Sequence, residues 1–175
     1  MIVVSDAGPL MALAKIDALS VLFELYPEIL IPPAVFEETV RAGIRLGQKD
    51  ALEISAFHAG GLLKVVAVHK PHIDLPEGVD PGEREGILLA LQERADWLLV
   101  DDRRARSFAE QIFARQGVTT RIRGTLGVLI QAFRLRILSR SETLSRLNAL
   151  EGHPEVWIHE SLFRQAIQAV SQSPD

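Results

Sequence analysis

The chain has no cysteine, which removes disulfides, thiolate metal sites and cysteine nucleophiles, so any metal must be held by carboxylates or histidines. No apolar run approaches the roughly eighteen residues needed to cross a bilayer, and a membrane role is not expected. Met1-Ile2-Val3-Val4-Ser5-Asp6 lacks a basic leader, from which a cytoplasmic protein is expected. Repeats, low-complexity tracts and internal linkers are also missing, so residues 1–170 read as one domain with a frayed tail at 171–175. Lysine is absent between Asp101 and Arg146, where ten arginines face only four acids, whereas residues 1–100 carry eight basic residues against fifteen acids. The net charge of -4 therefore hides an acidic first half beside an arginine-rich third quarter, a pairing suited to a cation site that handles a polyanion.

What is present is organised around Leu98-Leu99-Val100-Asp101-Asp102-Arg103-Arg104. The uncharged run from Trp97 to Val100 is too short for a helix and reads as a buried parallel strand. Two carboxylates follow where such a strand ends, which is where open α/β sheets bind ligands. Neighbouring strand residues point to opposite faces, so one of Asp101 and Asp102 reads as a site residue and the other as a helix cap. Both could equally be caps on this stretch alone.

The same arrangement occurs at the start. Residues 2–4 form a strand ending at Ser5-Asp6, and helical spacing from Leu10 to Tyr26 then predicts one helix stopped by Pro27. Glu28 to Ile31 reads as a strand, Pro32-Pro33 opens a helix carrying Glu37 and Glu38, and Gly43 to Gly47 reads as a break. A helix from Asp50 to His58 precedes a strand from Leu62 to Val68 and a loop from Lys70 to Gly82. Asp80-Pro81-Gly82-Glu83 is close to a capping box, giving Glu83 a structural job that Glu85 lacks. A helix ending near Gly117, a strand over 118–122, and helices from Gly124-Thr125, from Ser141 as N-cap and over 160–170 complete the chain. Five short strands alternating with helices predict a three-layer α/β/α domain with a largely parallel sheet.

The acids at element ends are Asp6, Glu38, Glu83 or Glu85, and Asp101 or Asp102. Converging carboxylates repel one another at neutral pH, so a fold that gathers them needs cations between them. All-oxygen donors select Mg²⁺ or Mn²⁺. Such ions hold a phosphodiester, acidify a bound water and stabilise a leaving oxygen, which is the chemistry of a metal-dependent nuclease. The histidines at 58, 69, 72, 153 and 159 show no ligand spacing and read as surface or supporting residues. Gly124-Thr125-Leu126-Gly127 lacks the lysine of a P-loop and reads as a capped turn, while Trp97 and Trp157 read as packing residues.

Val3-Val4-Ser5-Asp6 with Pro9-Leu10, Ile31-Pro32-Pro33-Ala34-Val35-Phe36-Glu37-Glu38, Gly82-Glu83-Arg84-Glu85-Gly86-Ile87, Leu99-Val100-Asp101-Asp102-Arg103-Arg104-Ala105-Arg106 and Gly124-Thr125-Leu126-Gly127-Val128-Leu129 together resemble the PIN-domain nucleases. The likeness is greatest to the short prokaryotic PIN-like branch catalogued as a domain of unknown function. It implies a Mg²⁺- or Mn²⁺-dependent endoribonuclease acting on single-stranded RNA, as in the toxins of toxin-antitoxin pairs, with a homodimer and an antitoxin protein as partners. By position it implies Asp6, Glu38, Glu83 and Asp101 as the catalytic, metal-holding acids, with Glu85 and Asp102 as further ligands. Arg103, Arg104 and Arg106 would hold the substrate backbone, and Thr125 would lie near the pocket and orient a water. Where the family usually follows its first acid with a hydroxyl residue this chain has Ala7-Gly8. That departure motivates a second reading, a PIN-like module that binds RNA or protein without cutting. A receiver-like phosphorylated domain ranks below both, because the last lysine is Lys70.

Overall fold

The computed structural model describes residues 1–69 and 78–173, so His72, most of the loop expected from Lys70 to Gly82 and the end of the tail lie outside the described residues. Five short strands, β1 (Val3–Ser5), β2 (Ile29–Ile31), β3 (Leu63–Val65), β4 (Trp97–Leu99) and β5 (Arg121–Arg123), form one parallel sheet in the order β3-β2-β1-β4-β5. Between β1 and β3 lie α1 (Ala7–Ala14), α2 (Leu19–Leu25), α3 (Pro33–Phe36), α4 (Gly43–Arg45) and α5 (Lys49–Ala59). After β3 come α6 (Pro81–Gln92), α7 (Arg103–Gln116), α8 (Thr125–Arg134), α9 (Arg140–Glu151) and α10 (Glu160–Ser171). The three-layer α/β/α fold expected from the sequence is the one the chain forms.

Both faces of the sheet's centre are covered, which is why β1, β2 and β4 read as uncharged runs without alternation, whereas the edge strands β3 and β5 carry exposed Lys64 and Arg121. Val3, Ile29, Ile31 and Leu99 pack with α1, α2, α5, α8 and α10 in one core, and Val4, Leu30, Leu98 and Val100 pack with α6 and α7 in the other. Each of these side chains contributes about 1.5–3 kcal/mol on burial.

Several element boundaries differ from the sequence reading. The helix predicted from Leu10 to Tyr26 is two, α1 and α2, because Asp17 takes the left-handed conformation (φ 51°) between them. The break predicted at Gly43 to Gly47 begins later. The chain runs from α3 through a π-helical turn at Glu37–Ala42 into α4, with Gly43 inside the helix, where a Cβ would stand 2.5 Å from that of Ala51. Contact with α5 is therefore what this glycine serves. The cap of α9 is Ser139, which forms a capping box with Glu142, rather than Ser141. The third and fifth strands are also shorter or shifted, at Leu63–Val65 and Arg121–Arg123.

β1 occupies the centre. The chain first builds outward to β2 and β3, then returns to lay β4 on the other side of β1. The gap beyond the ends of β1 and β4 is the topological switch point, where open α/β sheets take their ligands. Asp6 follows β1, its backbone N–H donating to Leu99 O at 2.9 Å, and Asp101 stands two residues past the end of β4.

Candidate acidic site at the switch point

Asp6 is the residue before α1, in extended conformation, but its side chain does not cap that helix. It is only 8% exposed. Burial, reinforced by the charges of Asp80, Glu83 and Glu38, pushes its carboxyl up from 3.8 to about 7, against one opposing hydrogen bond from the Ala7 backbone. Glu38, on the exposed side of the π-helical turn, has its pKa raised by partial desolvation and then by Asp80. Its neighbour Glu37 points away to pair with Arg41 (3.2 Å) and Arg45 (2.9 Å). Glu37→Gln is accordingly expected to leave both stability and any metal response unchanged, since exposed ion pairs contribute little. Glu38→Gln is expected to weaken the Mn²⁺-induced rise in unfolding midpoint, and thermal melts with and without Mn²⁺ compare the two.

The acids on α6 divide their work. Asp80 caps the helix, its Oδ1 accepting from Glu83 N at 2.9 Å, and Glu83 completes the box by accepting from Asp80 N at 3.1 Å. Burial raises the Glu83 pKa, a backbone hydrogen bond from Asp80 opposes, and the charges of Asp80, Asp102 and Glu38 add to the rise. Glu85 turns the other way and accepts from Ala34 N at 3.0 Å, tying the start of α3 to α6. It holds two helices together, a structural role beside the ligand role that the family likeness implies for it.

Asp101 and Asp102 separate as strand alternation suggested. Asp102 caps α7, accepting from Arg104 N (2.7 Å) and Ala105 N (2.9 Å). Asp101 turns inward, where Thr125 donates to both its oxygens, from N at 2.7 Å and from Oγ1 at 2.5 Å. Enclosure raises the Asp101 pKa, while the Thr125 bonds and the nearby Arg106 oppose the rise. Thr125 is fully buried, so it positions Asp101 and offers no surface to a substrate.

Glycines make the space between these acids. A Cβ on Gly82 would lie 3.3 Å from Glu38 Oε2 and 3.4 Å from both Asp6 Oδ1 and Asp80 Oδ1. A Cβ on Gly8 would lie 3.6 Å from Asp101 Oδ2 and 3.9 Å from Asp6 Oδ2. The missing side chains leave a cradle faced by oxygens from Asp6, Glu38, Asp80 and Asp101, and among the described residues no ion pair reaches Asp6, Glu38, Glu83 or Asp101. Among the described residues no three acids or histidines stand close enough to grip one ion as they are. The donor set nevertheless fits a hard divalent cation, being all oxygen and short of positive charge.

Asp80 and Gly82 were not singled out as site residues from the sequence. A capping role explained Asp80 locally, and the available signal was a glycine in the second position of a helix, where its cost needs a reason such as close approach. The arginines meet the acid set at Asp101. Arg103 and Arg104 are exposed, Arg106 partly so, and Arg103 and Arg106 line a cleft of about 650 Å³ that reaches Asp101 between α7, α8 and α10. Of the tryptophans, Trp97 packs as expected, stacked between the guanidiniums of Arg121 (4.1 Å) and Arg123 (3.9 Å). Trp157 does not pack at all and is 92% exposed. The described histidines serve structure: His58 hydrogen-bonds Leu63 O (2.8 Å), and His159 caps α10.

Fold and site together define a doubly wound α/β domain with a carboxylate cradle at its switch point. The chain belongs to the PIN-domain family, whose model matches residues 2–172. Searches of curated proteins and of solved structures return no match. The family is of nuclease type, and its members generally use divalent metals. Among the described residues no helix is long and apolar enough to cross a membrane.

Proposed function

We propose that the protein is a Mg²⁺- or Mn²⁺-dependent endoribonuclease acting on single-stranded RNA, of the kind found as the toxin of a toxin-antitoxin pair. The observation that carries this reading is Asp6, a buried carboxyl with its pKa raised to about 7 and other acids turned toward the same glycine-lined space. Such an arrangement disfavours the empty folded state and is relieved when a cation enters.

Asp6, Glu38, Asp101 and one of Asp80 and Glu83 would hold the ion. A divalent ion bound there supplies an acidified water and charge stabilisation for the leaving oxygen. The chain's own part is positional. Thr125 fixes the direction of Asp101, and Arg103, Arg104 and Arg106 bind phosphate oxygens and set the backbone across the acids. Arginine suits this because its fork matches two phosphate oxygens at once.

The test is cleavage of a fluorescent single-stranded RNA by purified protein in Mg²⁺, in Mn²⁺ and in EDTA. Cutting inside the strand that needs the metal and disappears in EDTA supports the reading, and absence of cutting in either metal overturns it. That second outcome would favour the non-cutting module, for which Ala7-Gly8 is the motivating feature, since no hydroxyl follows the first acid to support a metal's water shell.

A further inference from the structure

We propose that Trp157 is a stacking platform for an unpaired base of single-stranded RNA, one arm of a substrate groove that ends at Asp101. This rests on the nucleic-acid reading above and adds how the strand is held and why single strands are preferred.

The exposure of Trp157 is built into the chain. Residues 156–158 lie between α9 and α10, and Val156 and Ile158 both pack against the core. With its two neighbours facing inward, Trp157 is turned outward. The segment is also moored, because Glu155 pairs with Lys15 Nζ at 2.7 Å, and the same ammonium pairs with Asp50 at 3.1 Å. Lys15 is the C-cap of α1, at the other end of the helix from Asp6. A large indole held out on a fixed segment is what a sequence-tolerant base contact needs, since every base has a flat face and a rigid ring loses little entropy on stacking.

The surroundings choose the ligand. Trp157 lines a cleft of about 730 Å³ whose other walls include Asp101, Asp102, Arg103, Arg104 and His159. Exposed guanidiniums beside an exposed indole fit a phosphate backbone with its bases splayed outward, where a protein partner's apolar face would have to cover two charges. A duplex presents the same phosphates with its base faces stacked inside, and so cannot use the platform.

The experiment measures binding of a labelled RNA ten-mer by anisotropy in EDTA, where no cutting occurs, for wild type, Trp157→Ala and Trp157→Phe. Trp157 is too exposed for its loss to disturb the fold, and thermal melts of all three check this. Trp157→Ala is expected to weaken binding roughly tenfold, Trp157→Phe to recover most of it, and an abasic strand of equal length to bind all three alike. Equal binding of the intact strand by wild type and Trp157→Ala overturns the proposal, as does an equal loss for intact and abasic strands. If Trp157→Ala instead leaves RNA binding intact and alters only the sedimentation mass, the platform belongs to a second copy of the chain and the proposal also fails. Trp157-dependent binding with no metal-dependent cleavage would retain this inference while removing the nuclease reading.

Discussion

Asp6→Asn is expected to raise the unfolding midpoint of the metal-free protein at pH 8 while, on the proposed function, removing the midpoint's response to Mn²⁺ and sharply lowering the cleavage of RNA. The two effects have one origin. Asp6 ionises near 3.8 when unfolded and near 7 when folded, so between those values only the unfolded chain releases the proton. Stability conferred by the protonated form is therefore lost as pH rises from about 4 to about 7, and the loss is complete above 7. The shift corresponds to roughly 4 kcal/mol, and relief of much of it by a neutral amide moves the midpoint of a chain this long by roughly 5–10 °C. The gap between variant and wild type should narrow as pH falls and close near pH 4. Mn²⁺ should narrow the gap from the other side, because a cation stabilises only the carboxylate, by about 2.7 kcal/mol at a hundred times its dissociation constant. Metal-dependent cleavage should drop by a hundredfold or more, on the order of removing one charge-stabilising group from a catalytic site. A variant that melts like wild type in EDTA and cuts like it in Mn²⁺ would show that Asp6 bears no such burden.

The second large effect is expected at a residue with no side chain. In Gly124→Ala the new methyl would stand 2.7 Å from Asp101 Oδ1 and 3.4 Å from Val100 O. Oδ1 has little freedom to move, since it already receives Thr125 N at 2.7 Å while Thr125 Oγ1 holds Oδ2. The backbone at Gly124 (φ -98°) suits alanine, so the whole penalty is contact. Overpacking of this kind costs about 1–3 kcal/mol, lowering the midpoint by roughly 2–10 °C, and displacing Asp101 should reduce cleavage at least about tenfold. Gly8→Ala is the comparison. Its methyl meets Asp101 at an ordinary 3.6 Å and sits within α1, where alanine is the better helix former, so stability should hold or rise. Equal behaviour of the two variants in melts and in cleavage would mean that the Asp101–Thr125 clasp has no role.

How far these features could be read in advance depended on the range of the physics behind each. Strand alternation and capping act over two or three residues, and they divide Asp101 and Asp102 into one inward residue and one cap without saying which is which; the fold makes Asp102 the cap. The doubly wound sheet was legible for a similar reason, because short apolar runs alternating with amphipathic stretches leave few arrangements. Failures came where a local explanation was sufficient but incomplete. Asp80 fills its capping position so well that its second orientation, toward Glu38 and Asp6, has no trace in neighbouring residues. Glu85 looked free because its partner, Ala34 N, lies 51 residues away. The break between α1 and α2 turns on Asp17 adopting a conformation usually left to glycine, and the π-helical turn that carries Glu38 has no composition of its own. Trp157 was misjudged because indoles are usually buried, and only the packing of Val156 and Ile158 reveals which way it must face.

The pairing of β1 with β4 bears on the life of the chain before it is complete. β1 emerges well before β4, its hydrogen-bonding partner on one side, which begins at Trp97, and the oxygens of the cradle come from positions 6, 38, 80 and 101. During synthesis β1 therefore waits with one edge open until the chain has been made through β4, a topology that orders slowly because distant segments must meet. No shorter nascent chain contains the whole acid set. A nascent chain that ends before β4 lacks Asp101, and whatever activity the cradle supports switches on only when the centre of the sheet closes.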